Sequence, residues 1–126
     1  MNPKKKILLA DDEFAMRHIL KSILRQLDEF DFVEAKNGME AIQMMQKEKP
    51  DLVFLDVYMQ TMTGIEALKR VKELPEIKDI PIVMCTAEAN PKMVQTVIVH
   101  GAVDYVVKPF TMDIIHKKAK KWLGLE

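Results

Sequence analysis

Residues that can handle a phosphoryl group or a divalent cation follow four short apolar segments of this chain. The adjacent acids Asp11 and Asp12 follow KKILLA, and Asp56 follows DLVFL. Thr86 follows PIVMC, and Lys108 follows DYVV. If each segment is a strand of one parallel sheet, these residues meet in the crevice at its carboxyl edge, where open α/β sheets bind ligands. Three carboxylates, one hydroxyl and one ammonium would then share one pocket.

Each of these residues, taken alone, has a simpler interpretation. Asp56 could form a turn, one of Asp11 and Asp12 could cap the next helix, and Thr86 could merely end a strand. Together, however, the three acids form an all-oxygen site with several negative charges, which suits Mg²⁺ bridging to a phosphate. Lys108 precedes a proline that biases its backbone toward an extended form, and a compact ammonium can neutralise a phosphoryl oxygen.

The elements that must position these residues follow from the apolar pattern. Strand-like runs alternate five times with helix-like stripes, and this alternation predicts βαβ units and a parallel sheet. The predicted strands span residues 6–10, 32–35, 52–55, 82–85 and 105–107.

Two of the predicted helices have a clear apolar stripe. In the first, the stripe leaves Arg17, Lys21 and Arg25 on the polar side and comprises Met16, Ile19, Leu20, Ile23, Leu24 and Leu27. In the last, the inward residues are Ile115, Ala119, Trp122 and Leu123, and the outward ones are Lys117, Lys118, Lys120 and Lys121.

Helix starts are marked by capping residues. Asn37 with Glu40 and Thr63 with Glu66 match the spacing of a capping box. Asn90 is followed by Pro91, the residue best suited to a first helical position.

Composition limits the class of protein. The 126 residues, 48% of them apolar, predict a single domain over 1–126. The 19 basic and 19 acidic residues cancel, which argues against nucleic acid or a membrane as the main partner. No apolar run is long enough for a signal peptide or a membrane span, so a cytoplasmic location is expected. The lone Cys85 predicts a small buried core residue.

From KILLADDE through LVFLDVYMQTMTG and IVMCTAEA to DYVVKPFT, the chain resembles the receiver domain of two-component response regulators. The resemblance implies an α/β fold, a doubly wound five-stranded parallel sheet of flavodoxin-like (βα)5 type with strand order 2-1-3-4-5. It also implies that Asp56 accepts a phosphoryl group from a histidine kinase. Such a protein is a signalling switch that catalyses only its own phosphorylation and dephosphorylation.

The same resemblance implies roles for the remaining pocket residues. Asp11, Asp12, Asp56 and the Tyr58 backbone carbonyl would bind Mg²⁺, and Lys108 would balance the product charge. Thr86 would swing toward the phosphoryl group, and Tyr105 would turn inward as the second part of the switch.

Three positions near the acceptor depart from the family pattern or tune it. Gln60 stands where proline is usual in the segment that includes Met59 and Gly64, so the loop is expected to be less rigid. Tyr58 is bulkier than usual and is predicted to shield the phosphoryl group from water, and Glu88 occupies the matching place after Thr86. Met59 and Met62 are expected to be more exposed than the other methionines.

The resemblance further implies a partner surface on the fourth helix, fifth strand and fifth helix. TAEA and VVKPFT are especially similar to chemotaxis regulators that bind a flagellar motor switch. The alternative is a single-domain relay that passes the phosphoryl group to a histidine phosphotransfer protein. Candidate contact residues are Met93, Gln95, Thr96 and the stretch 117–121.

Two other classes fit the pattern less well. An aspartyl-phosphate phosphatase commonly needs a second acid two residues after the nucleophile, where this chain has Tyr58. A small flavin-binding protein needs a phosphate-cradling loop after the first strand, but ADDEFAMR is acidic there and would repel phosphate.

Overall fold

Five parallel strands form one sheet with the order β2-β1-β3-β4-β5 in this computed structural model, which describes residues 3–88 and 90–125. The predicted fold class and strand order are confirmed. In chain order the elements are β1 Lys5–Ala10, α1 Phe14–Arg25, β2 Phe30–Ala35, α2 Gly38–Glu48, β3 Leu52–Asp56, α3 Gly64–Lys72, β4 Ile82–Thr86, α4 Pro91–Val99, β5 Asp104–Val107 and α5 Met112–Leu123.

The sheet is covered on both faces, as the continuous apolar runs of its central strands require. Alternate residues of β3 enter different cores: Val53 packs with α2, α3 and α4, whereas Phe54 packs with α1 and α5. Cys85 belongs to the second core and is buried, which confirms its predicted place. Because the strands pack against both cores, the carboxyl ends of the strands are held at fixed positions at one edge of the sheet.

The helix starts follow the predicted caps closely. The Thr63 side chain accepts a hydrogen bond from the Glu66 amide while the Glu66 carboxylate accepts one from the Thr63 amide, which completes the capping box of α3. Asn90 caps α4, with Pro91 in its first turn. At α2 the box is only half formed, because the Glu40 carboxylate accepts from the Lys36 amide instead of from Asn37.

Burial differs from the prediction in α1. Arg17 was expected on the polar side, but it is buried, whereas Ile19 is exposed. The reason is that Arg17 finds acceptors in the polar turn after β1 and on β2, and a buried cation with such partners is tolerated.

Two further side chains were expected outside and are more buried than predicted. Met59 is buried because the loop after β3 folds back over the core that Val53 enters. Lys118 of α5 turns inward to Asp104. Strand ends also shifted, since β2 begins at Phe30 and β5 at Asp104, slightly before the predicted starts.

Among the described residues, no helix has the length and apolar character needed to cross a membrane.

Candidate functional site

The sheet register brings the predicted site residues to one edge. Ala10 lies beside Leu55, so the residues that follow them, Asp11 and Asp56, are neighbours. On the other side of β3, Asp56 lies beside Cys85, the residue before Thr86. The Lys108 amide donates to the Thr86 carbonyl at 2.8 Å, which closes the edge at β5.

Three acids and one lysine form the centre of the pocket. Asp11, Asp12 and Asp56 each offer a carboxylate oxygen, and these oxygens all lie within 4.8 Å of one another. Lys108 Nζ lies 2.8 Å from Asp11 Oδ2 and 3.2 Å from Asp56 Oδ1. Asp11 and Asp56 are buried, whereas Asp12 is exposed. The cluster is therefore open to solvent on the Asp12 side.

The pocket is short of positive charge. Burial and the negative charge of Asp11 raise the pKa of Asp56 to about 6, although Lys108 acts in the opposite direction. Burial acts to lower the pKa of Lys108, but its bond to Asp11 and the charge of Asp56 raise it overall, so the ammonium stays charged. Three carboxylates around one ammonium favour a further cation, and oxygen donors of this kind suit Mg²⁺.

The Asp11 side chain makes two hydrogen bonds, and neither of them caps helix α1. Its Oδ1 accepts from the Glu13 amide at 2.9 Å while Oδ2 accepts from Lys108. The N-cap of α1 is Glu13, and no side chain caps this helix in the part of the chain that the structure describes. The alternative of a capping acid after β1 is therefore wrong, because Asp11 is held against the pocket instead.

The loop after β3 doubles back on Asp56. The Gly64 amide donates to the Val57 carbonyl at 2.9 Å. A Cβ at Gly64 would lie 2.0 Å from the Asp56 carbonyl oxygen, so only glycine fits there. Gln60, at the usual place of proline, uses its carbonyl to accept from the Met62 amide, and Thr61 between them has a φ of 69°. The loop thus makes a tight turn without the proline.

Two residues meet above the pocket edge. The Tyr58 hydroxyl donates to Glu88 Oε1 at 2.9 Å, and both side chains are exposed. The Glu88 amide in turn donates to the Thr86 hydroxyl at 3.0 Å. The loops after β3 and β4 are thereby linked, and the Thr86 hydroxyl is engaged with its own loop. Ala89 of the TAEA motif lies outside the described residues.

Tyr105 lies away from the acids, between the α4 and α5 surfaces. Its half-buried side chain packs against the core that contains Val97, and it lines a groove of about 460 Å³. Lys118 Nζ lies 6.0 Å from the Tyr105 ring centroid. The other residues of this groove are Pro91, Val94, Gln95, Ile98 and Val99.

Sequence reasoning missed two charged residues. Asp104 is buried and accepts from Lys118 Nζ at 2.9 Å and from Trp122 Nε1 at 3.0 Å. Arg17 donates to the Asp11 carbonyl at 2.7 Å and to Glu34 at 2.8 Å. The available signals were weak: Asp104 directly precedes the predicted fifth strand, and Arg17 directly follows Met16 of the predicted apolar stripe.

Comparison with known proteins gives a consistent result. Residues 7–120 match the response regulator receiver domain family. The chain is 36% identical over 122 residues to the sporulation initiation phosphotransferase F of Bacillus subtilis, covering 97% of this chain and 96% of that protein. It is 37% identical over 121 residues to the chemotaxis protein CheY-3 of Vibrio cholerae, covering 96% and 93%. The solved structure of Vibrio cholerae chemotaxis protein CheY4 superposes with a TM-score of 0.88 at 31% identity, covering 96% of this chain and 100% of that one.

Proposed function

Because this chain belongs to the response regulator receiver domain family, we propose that it is a phosphorylation switch whose acceptor is Asp56. The observation that carries this proposal is the pocket itself. A buried carboxylate at the end of β3 has two further acids within 4.8 Å and one lysine at 3.2 Å. The phosphoryl donor is a histidine kinase, as in two-component signalling.

In the proposed reaction, an Asp56 carboxylate oxygen attacks the phosphorus, and the bond from phosphorus to the donor histidine nitrogen breaks. Lys108 already lies beside this carboxylate, so its ammonium can follow the negative charge onto the phosphoryl oxygens. Asp11, Asp12, Asp56 and the Tyr58 carbonyl would hold Mg²⁺. When bound, this ion supplies charge neutralisation between the acids and the incoming phosphoryl group.

The switch follows from the competition for the Thr86 hydroxyl. In this structure the hydroxyl accepts from the Glu88 amide. A phosphoryl group on Asp56 adds about −1.5 to −2 charges and three acceptor oxygens, so the hydroxyl gains a stronger partner on the pocket side. Movement of Thr86 frees space behind it, into which Tyr105 turns, and the groove lined by Tyr105 changes shape.

The output we favour is chemotaxis, through binding to a flagellar motor switch. The groove beside Tyr105 is apolar and open, with Ile98 44% and Val99 72% exposed. Exposed apolar side chains around a groove suit the apolar face of a partner segment. The similarity to CheY-3 of Vibrio cholerae supports the same output.

A relay function is the second candidate, and a different surface favours it. Met16, Ile19, Pro109 and Phe110 line an apolar groove of about 380 Å³ next to Lys108. Phe14 is 69% exposed at the start of the same helix. A histidine phosphotransfer protein bringing its histidine to Asp56 would lie against this side. The similarity to a sporulation phosphotransferase accords with that alternative.

The first test is intact-protein mass after incubation with acetyl phosphate. Wild type is expected to gain one phosphoryl mass only when Mg²⁺ is present, and Asp56→Asn is expected to gain none. Asp104→Asn serves as the matched control, because it alters another buried aspartate outside the pocket, and it should still be phosphorylated. A wild type that gains no mass would overturn the proposal.

Output and relay are separated by two measurements on the phosphorylated protein, one of peptide binding and one of phosphoryl transfer. A motor-switch peptide should bind more tightly after phosphorylation if the output is chemotaxis, and Val99→Asp should abolish that gain. A histidine phosphotransfer protein should remove the phosphoryl mass from Asp56 within minutes if the function is relay, and Phe14→Ala should slow that transfer.

A further inference from the structure

Arg17 is buried although its position in α1 predicts a solvent-facing side chain. It is 7% exposed, and its guanidinium lies between the turn after β1 and the side chain of Glu34 on β2. Taking a guanidinium out of water is unfavourable unless hydrogen bonds replace the lost hydration. Its acceptors should therefore indicate what it does.

The two acceptors belong to different parts of the fold. Arg17 Nη1 donates to the Asp11 backbone carbonyl at 2.7 Å, and Arg17 Nε donates to Glu34 Oε1 at 2.8 Å. Glu34 also accepts from Lys21 at 2.7 Å, so the carboxylate is held by two cations. The guanidinium is thus bound to Glu34 of β2 on one side and to the turn after β1 on the other.

The Asp11 carbonyl, which accepts from Arg17, belongs to the peptide unit that joins Asp11 to Asp12. Because a peptide unit is planar, its rotation would move the side chains on both sides of it. The Asp11 amide is already held, since it donates to the Ala35 carbonyl at 3.0 Å. Arg17 donates a hydrogen bond to the Asp11 carbonyl, so the amide and the carbonyl of Asp11 are both held in place.

We propose that Arg17 is a positioning residue for the Asp11 and Asp12 carboxylates, holding the turn after β1 in the conformation that presents both acids to Mg²⁺. This inference rests on the proposed function, which places the metal at these acids. Arg17 acts through the backbone and does not contact the metal or the phosphoryl group.

The role is assigned to position because the two recorded bonds of Arg17 go to a backbone carbonyl and to Glu34, and neither goes to a carboxylate of the pocket. A lysine at position 17 would keep a positive charge, but its single ammonium lacks the planar fork that reaches the Asp11 carbonyl and Glu34 together. The two kinds of contribution can therefore be separated by substitution.

The test is isothermal titration calorimetry with MgCl₂ on four folded proteins: wild type, Arg17→Met, Arg17→Lys and Lys21→Met. Removal of a residue that orients a metal ligand typically weakens metal binding about tenfold or more, and we expect that loss in Arg17→Met. Arg17→Lys should also bind more weakly than wild type. Lys21→Met is the matched control, since it removes the other cation on Glu34 and leaves the Asp11 carbonyl contact, and its affinity should match wild type.

A second measurement excludes a merely structural effect. The rate of phosphorylation by acetyl phosphate should fall in Arg17→Met at low Mg²⁺ and recover toward the wild-type rate at saturating Mg²⁺. A folded Arg17→Met with wild-type Mg²⁺ affinity would overturn the inference. If Arg17→Met does not fold by circular dichroism, Arg17→Lys decides, and wild-type affinity in that variant would overturn it equally.

The two proposals fail in different ways. If wild type neither binds Mg²⁺ nor gains a phosphoryl mass, the proposed function is wrong. If wild type does both and the Arg17 variants bind Mg²⁺ equally well, the proposed function stands and only the positioning role is lost.

Discussion

Two buried aspartates of the same sheet have opposite surroundings. Asp104, at the start of β5, accepts from Lys118, from Trp122 and from the Tyr105 amide. Asp56, at the end of β3, shares Lys108 with Asp11. Burial acts to raise both pKa values. At Asp104 the hydrogen bonds outweigh burial and lower its pKa, whereas at Asp56 burial and Asp11 together raise its pKa.

The difference separates an acid whose charge the fold stabilises from one whose charge burial and a neighbouring acid destabilise. Asp104 has donors for both of its oxygens, so its charge is stabilised by the fold and joins α5 to β5. Asp56 shares its one ammonium with Asp11 and lies beside two further acids, so a cation would stabilise it, in agreement with the acceptor role proposed above. Sites arranged for chemistry often keep such unfavourable charge at a cost in stability.

The largest expected contrast is in stability. Asp104→Asn should lower the free energy of unfolding by about 2 kcal/mol, because it weakens charge-assisted hydrogen bonds to Lys118 and Trp122. Asp56→Asn should raise it by about 1 kcal/mol without Mg²⁺, less than the full pKa shift implies because the pocket is open to water on the Asp12 side. Urea unfolding followed by Trp122 fluorescence measures both. Equal signs for the two variants would contradict the comparison.

The two lysines should respond differently to Mg²⁺. Lys108→Met and Lys118→Met should each lower stability in metal-free buffer, by about 1 to 2 kcal/mol, because each leaves a buried carboxylate without its ammonium. If Mg²⁺ binds the folded state at the Asp56 pocket, as proposed, it should raise the melting temperature of Lys108→Met more than that of wild type. For Lys118→Met the Mg²⁺-dependent rise should equal that of wild type. A common response in both variants would show that the pocket is not the metal site.

The pH dependence of stability should have opposite signs at the two sites in metal-free protein. Relative to Asp56→Asn, the free energy of unfolding of wild type should fall as pH rises from 3.8, the ordinary pKa of an aspartate, to about 6. In this range the folded protein keeps the Asp56 proton, whereas the unfolded chain has released it. The amount by which Asp104→Asn lowers the free energy of unfolding should be constant above pH 3.8. It should shrink below that pH, because the wild-type Asp104 carboxylate then becomes protonated and loses its stabilising charge.

These pH effects are measured as urea unfolding curves of the three proteins between pH 3 and pH 7. Glutamates that titrate in the same range affect all three proteins alike, so the differences between variants isolate the two aspartates. A wild-type minus Asp56→Asn difference that does not change with pH would contradict the raised pKa of Asp56.

The smallest expected effect concerns the bond between Tyr58 and Glu88 at the pocket mouth. Tyr58→Asn should speed loss of the phosphoryl group by about threefold, because water then reaches the acyl phosphate more easily. Tyr58→Phe keeps the ring and should lie much closer to wild type, although it loses the hydrogen bond to Glu88. The decay of phosphoryl mass after removal of the donor measures both. An unchanged rate in Tyr58→Asn would rule out shielding.

The sequence predicted helix caps and strand ends well, because these features depend on interactions between residues close together in the chain. The Thr63 and Asn90 caps act over three residues, and the structure has both. The strand ends before Asp11, Asp56 and Thr86 were predicted within one residue, because an apolar run stops where the chain leaves the core.

Predictions failed where burial depends on a distant partner. Periodicity placed Arg17 outside and Ile19 inside, but Glu34 of β2 and the turn after β1 give Arg17 acceptors that no pattern within α1 contains. Met59 was expected to be exposed, and the returning loop at Gly64 buries it. The same limit applies to Lys118, whose acceptor lies 14 residues earlier.

The sequence by itself determined that acids, a hydroxyl and a lysine end four strands of one parallel sheet, since apolar runs and capping residues act over a few positions of the chain. Only the tertiary structure decided which hydrogen-bond and ion-pair partners each buried charge has. Asp104 received a full set of donors, Asp56 received one shared ammonium, and Arg17 was placed behind the acidic turn. The physical reason is that the free energy of a buried charge depends on groups brought within about 3 Å by the fold, and chain periodicity does not encode those distances.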